Sequence, residues 1–147
     1  MLYVGVDPGS RTGAYACIND GHVDVFPWDD VFFVQHLHAL KSTGDGIIAC
    51  VEKVGAIHGQ GLKSTWNFAK NAGYIEGALV GVGIPFQLVP PLVWKKEFSL
   101  NSDKHRSIDV CRRLFPGVSL KRTDKCRTDD SNYAEAILLA EYARRRL

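Results

Sequence analysis

The sequence predicts an α/β fold: one mixed five-stranded sheet, three antiparallel strands followed by parallel crossovers, with helices on both faces. Three observations predict it. The chain opens with three short runs rich in Val, Tyr and Ile separated by turn residues; an almost uninterrupted apolar run comes later; and the segments after each carry apolar residues at helical spacing. A meander that passes into right-handed βαβ crossovers closes into such a sheet. With 147 residues and 46% apolar side chains, the chain suits a single domain over residues 1–147 whose core needs no staples.

The three opening strands are Leu2 to Asp7, Thr12 to Ile18 and Gly21 to Pro27, divided by Pro8-Gly9-Ser10 and Asn19-Asp20-Gly21. The second divider is the stronger hairpin signal, because a primed turn needs positive φ and these residues tolerate it. Asp29 or Asp30 then caps a helix to about Lys41, with Val31, Val34, Leu37 and Leu40 on one face. Ile47 to Glu52 is apolar until its final acid, the pattern of a central strand covered on both faces. A Gly-rich connection, Gly55 to Gly61, leads into a helix from about Ser64 to Val82. Pro85 to Val89 reads as a further strand ended by Pro90-Pro91. Lys104 to Phe115 reads as an amphipathic helix with Ile108, Cys111, Leu114 and Phe115 inward. The last helix, Ser131 to Arg146, is apolar nearly all round.

Cys17, Cys50, Cys111 and Cys126 show no C-x-x-C spacing and are expected to be free thiols, mostly buried. That usage points to a cytoplasmic setting. The first residues lack a basic leader and a long apolar core, and no segment is long enough to span a bilayer. Net charge is only +2, but Lys95 to Arg127 holds ten Lys/Arg against four Asp/Glu, so the remainder is acidic at −4. Such a run suits a surface that tracks phosphates beside an acidic centre, or simply a solvated face.

Asp7 ends the first strand just before Pro-Gly-Ser, and Glu52 ends the later apolar strand in the same way. If those strands are parallel neighbours, both carboxylates stand at one sheet edge, where open α/β sheets form ligand sites. Two like charges ending such apolar strands are costly unless a cation or proton neutralises them. Asp129-Asp130-Ser131-Asn132 enters the last helix, and Glu135 lies one turn in, amid apolar neighbours. Capping explains Asp129 and Asp130; it explains Glu135 less well. Carboxylates without nearby His or Cys select Mg²⁺, or Mn²⁺, over zinc. Two such ions about 4 Å apart can drive phosphodiester hydrolysis.

The stretch Val4-Gly5-Val6-Asp7-Pro8-Gly9-Ser10 with Thr12-Gly13, the strand end Val51-Glu52-Lys53-Val54, and Ala134-Glu135-Ala136-Ile137-Leu138-Leu139-Ala140 together resemble RuvC-like Holliday-junction resolvases of the RNase H-like superfamily. Gly59-Gln60-Gly61 leading into Ser64-Thr65-Trp66-Asn67-Phe68 is similar to the phage-borne branch. The resemblance implies an RNase H-like fold and a homodimer that nicks four-way DNA junctions, leaving 5′-phosphates. It implies two Mg²⁺ ions per site, held by four acids. Asp7, Glu52 and Glu135 match three of these. The fourth acid usually lies three or four residues before the helix acid, where this chain has Asn132 and Ser131. Asp130 is the expected substitute, with Asp129 in reserve.

Branched DNA would be gripped by Lys53, His58, Lys63 and Lys70 after the catalytic strand and by Lys121, Arg122, Lys125 and Arg127 before the last helix. Lys95, Lys96, Lys104 and Arg106 extend that track. Trp66, Phe68 and Tyr74 are expected to be core or dimer contacts before they are wedges between bases. Rival readings are another RNase H-like nuclease acting on RNA:DNA hybrids or flaps, and a junction-binding module that cuts weakly. A sugar-kinase-like nucleotide binder shares an early Asp and Gly, but no phosphate-cradling glycine loop follows here.

Overall fold

A computed structural model describes all 147 residues. Strands β1 (Leu2–Asp7), β2 (Ala14–Asn19) and β3 (His22–Pro27) form the expected antiparallel meander. The β2–β3 turn has positive φ at both Asp20 (48°) and Gly21 (84°), the primed geometry that matches strand twist. After helix α1 (Asp30–Ser42) comes β4 (Ile47–Glu52), then α2 (Leu62–Val82), β5 (Phe86–Val89), α3 (Pro91–Glu97), α4 (Lys104–Leu114) and α5 (Ser131–Arg146). The sheet order is β3-β2-β1-β4-β5, with β4 parallel to both β1 and β5. No helix is long and apolar enough to cross a membrane.

Strand alternation sorts side chains onto two faces. Leu2, Val4 and Val6 of β1 join Ile47, Ala49 and Val51 of β4 in the core beneath α1 and α2. Cys50 belongs instead to the core on the other face, built mainly from α4 and α5. By the same alternation Gly5, Asp7 and Glu52 face α5. Gly5 is where that helix comes closest: a Cβ there would lie 2.2 Å from the Ala136 carbonyl oxygen and from the Ala140 nitrogen. Backbone therefore packs against backbone, and ten of the sixteen α5 residues are buried, Glu135 and Glu141 among them.

Three expectations shift. The inward face of α1 is Phe33 and Leu37 with Leu40 beside them, while Val31 is 64% exposed. The larger ring wins the interior, where Phe33 meets Trp28 at 4.7 Å and Tyr15 at 4.9 Å between ring centres. Pro90-Pro91 ends β5 but also starts α3, with Pro91 in the first turn, where its missing N–H costs nothing. Trp66 is 72% exposed and so is not core of this chain; the buried residues of α2, Asn71, Ile75 and Leu79, all lie further along the helix. All four cysteines are free, three of them buried, with burial pushing the Cys17, Cys50 and Cys111 thiols up to about 12.

Candidate metal centre

Val6 pairs with Val51 across the parallel β1–β4 ladder. Asp7 and Glu52 each take the next position, so two carboxylates stand side by side at the carboxyl edge of the sheet. The α5 contact at Gly5 brings Glu135, one turn into that helix, onto the same edge. The three carboxyls act on one another electrostatically. Burial, then the charges of Glu135 and Glu52, push the Asp7 carboxyl well above its ordinary range, against the opposing pull of Lys95 and Lys104. Burial also raises Glu52, opposed by the Trp94 hydrogen bond.

Each acid is held differently. One carboxylate oxygen of Asp7, Oδ2, is buried without a hydrogen-bond partner, and the residue is only 7% exposed. The fully buried Trp94 indole donates to Glu52 Oε2 at 2.7 Å. The Ser107 hydroxyl donates to Glu135 Oε1 at 3.3 Å, and Lys95 Nζ lies 3.5 Å from the same oxygen. As they lie, Glu52 and Glu135 turn toward these partners, and no three acids close into a finished cage. An unpartnered buried carboxylate oxygen between two further carboxylates is nonetheless a donor set that suits a hard dication, since such an oxygen otherwise carries a desolvation cost with nothing to offset it.

Asp130 does not join the three. It caps α5, accepting from the Asn132 and Tyr133 N–H groups, and its other oxygen takes the Arg122 guanidinium. Asp129 is paired with Arg112. A residue at the cap points back along the helix axis to its free N–H groups, which is why the fold-back over the first turn does not occur. Asn132, one turn ahead of Glu135, is half-buried.

Arg122, expected to face DNA, is committed to the chain itself. Its guanidinium also donates to the Thr12 and Gly13 carbonyls and covers the Tyr133 ring at 5.0 Å, tying the loop after β1 to the head of α5. Lys121, Lys125 and Arg127 are exposed on the same connection. Lys53, His58, Lys63 and Lys70 are exposed along the loop after β4 and the start of α2. Trp94, Lys95, Lys104 and Ser107 were not foreseen as part of the centre. The available signal was Pro90-Pro91, which can open a helix as readily as end a strand, and so carries Trp94 and Lys95 back over the strand ends.

No protein-family model matches the chain, and no curated protein matches it in sequence. Among solved structures it is similar to Thermus thermophilus RuvC in complex with a Holliday junction substrate, at 17% identity and a TM-score of 0.63, covering 99% of this chain and 97% of that one. A second T. thermophilus RuvC structure gives 17% identity and a TM-score of 0.60 over 99% and 96% of the two chains. The fold is therefore the RuvC type, with the mixed sheet in the order described.

Proposed function

We propose that the chain is a divalent-metal-dependent endonuclease that nicks four-way or other branched DNA and works as a homodimer. The observation that carries the reading is the buried, unpartnered oxygen of Asp7 between Glu52 and Glu135, at the carboxyl edge of a RuvC-type sheet. The solved neighbour bound to a Holliday junction supports the choice of substrate. Two Mg²⁺ ions, or Mn²⁺, would be held by Asp7, Glu52 and Glu135, supplying an activated water and counter-charge for the leaving oxygen.

The chain's own groups have distinct tasks in this reading. Trp94 fixes one Glu52 oxygen and leaves the other for the centre. Ser107 orients Glu135. Lys95 neutralises part of the charge that three gathered acids create. Trp94→Phe keeps the ring packing but removes the donor, so half-saturating Mg²⁺ for nicking should rise about tenfold with little change in melting. An unchanged Mg²⁺ titration would show that Glu52 needs no such anchor.

Exposed Lys121, Lys125 and Arg127 on one side and Lys53, Lys63 and Lys70 on the other suit phosphates approaching the acids from two directions. Junction affinity should fall with salt, with a log–log slope of roughly −0.9 per phosphate neutralised. Each of Lys121→Ala and Lys125→Ala should flatten that slope by about one contact, whereas Arg122→Ala should act mainly on stability. A salt-independent Kd contradicts this interface. A second reading, a junction-binding module that cuts weakly, is favoured by one observation: Asp129 and Asp130 are both engaged by arginines.

A further inference from the structure

After β1, the loop residues Pro8–Thr12 and α2 line two adjoining open cavities that share Ser10 and Asn67. The smaller, about 220 Å³, is lined further by Asp30, Lys70, Asn71 and Tyr74. The larger, about 460 Å³, opens toward Arg11, Thr12, Lys63 and Ser64. Lys63, Asn67, Lys70, Asn71 and Tyr74 recur at three- and four-residue spacing, so α2 turns one polar face to the loop.

Asn71 is the informative residue. It is 5% exposed, yet its carbonyl oxygen has no hydrogen-bond partner. The same side of α2 continues with buried Ile75 and Leu79, and an aliphatic side chain at position 71 would avoid the cost of an unmet buried acceptor. Asn71 lines the smaller cavity, and an amide there suits a ligand that can donate to it. Asp30 adds a second acceptor, one oxygen of which takes the Trp28 indole at 2.6 Å. The Ser10 hydroxyl and the Asn67 amide supply donors. Asp30 and Lys70 put opposite charges beside the Asn71 amide in this cavity, a mixture that suits a nucleobase edge, which carries both donors and acceptors.

The larger cavity has the complementary chemistry: two cations, Arg11 and Lys63, with the hydroxyls of Thr12 and Ser64, and no carboxylate. That set suits a phosphodiester. We propose that this groove takes one unpaired nucleotide of the bound strand, its base against Asn71 and its phosphate between Arg11 and Lys63. The inference rests on the nucleic-acid reading above and adds where the strand leaves its helix. Turning a base out of the stack is least costly where pairing is already interrupted, as at a branch point.

The test uses the whole protein without divalent ions, so that nothing is cut. A four-way junction carries 5-iododeoxyuridine at each position around the exchange point in turn, and photocrosslinks are mapped on the protein. One or two positions should crosslink between Ser64 and Tyr74. Asn71→Leu should bind the junction about tenfold more weakly while melting no lower than the parent, and Asn67→Ala should also weaken binding. Crosslinks confined to other segments, parental affinity in Asn71→Leu, or a lowered melting temperature in that variant would each overturn the assignment, the last by making Asn71 structural. If a free deoxynucleoside monophosphate competes more strongly than the junction, the cavity belongs to a free nucleotide and the strand assignment is wrong. Normal junction nicking without these crosslinks sinks this inference alone; failure to bind branched DNA sinks the nucleic-acid reading as well.

Discussion

Asp7→Asn is expected to lower junction nicking on the order of a thousandfold or more, because it removes the carboxylate that faces both neighbouring acids and any ion they hold. Junction binding should persist. The same substitution should raise the melting temperature of the metal-free protein at neutral pH. Burial, together with Glu135 and Glu52, makes the folded state hold the Asp7 proton more tightly than the unfolded chain does. Between the ordinary carboxylate value and that raised value the folded state binds more protons, so stability falls as pH rises through the window. Asparagine has no such penalty. Its advantage should be present at pH 7.5 and gone near pH 4, where the unfolded carboxyl is also protonated, at about 2–4 °C of melting temperature per kcal/mol for a chain of this length. Added Mg²⁺ or Mn²⁺ should stabilise the parent and not the variant. Melting curves at the two pH values with and without metal check all three statements, and a parent indifferent to metal contradicts them.

Gly5→Ala should be strongly destabilising. The new Cβ would sit 2.2 Å from two backbone atoms of α5, and backbone cannot swing aside as a side chain can. The helix must lift from β1, loosening a core that includes Ala136, Ile137, Leu139 and Ala140. A cost of about 3 kcal/mol is expected, together with loss of nicking even well below the melting temperature, since Glu135 moves away from Asp7. Melting and a nicking assay in the cold measure both effects. A variant that melts with the parent would show that the close contact is not what seats α5.

Much of this was legible in the sequence for reasons that can be named. Asp20-Gly21 demanded a primed turn, and the strands on either side pair as that turn requires. Asp7 and Glu52 stood out because each ends an apolar strand, and parallel pairing of β1 with β4 puts both at one edge. Glu135 stood out as an acid on an apolar helix. What stayed hidden depended on contacts between distant segments. Arg122 looked like one cation in a basic run, but its partners lie at Thr12 and Gly13, more than a hundred positions away. Asp130 looked like a ligand until the cap geometry claimed it. Trp94 and Lys95 lay behind a proline pair whose double meaning only tertiary packing resolves. The phase of α1 turned on Phe33 filling space beside Trp28 and Tyr15, a matter of volume that apolar spacing does not encode.

Side-by-side digestion of an immobile four-way junction, an RNA:DNA hybrid, a flap and a plain duplex in Mg²⁺ bears most directly on the account. Paired nicks placed symmetrically across the four-way junction, ending in 5′-phosphates and absent in EDTA, are the predicted result. Products that form equally without divalent metal, or that arise from the hybrid or the flap while the junction stays intact, would contradict it.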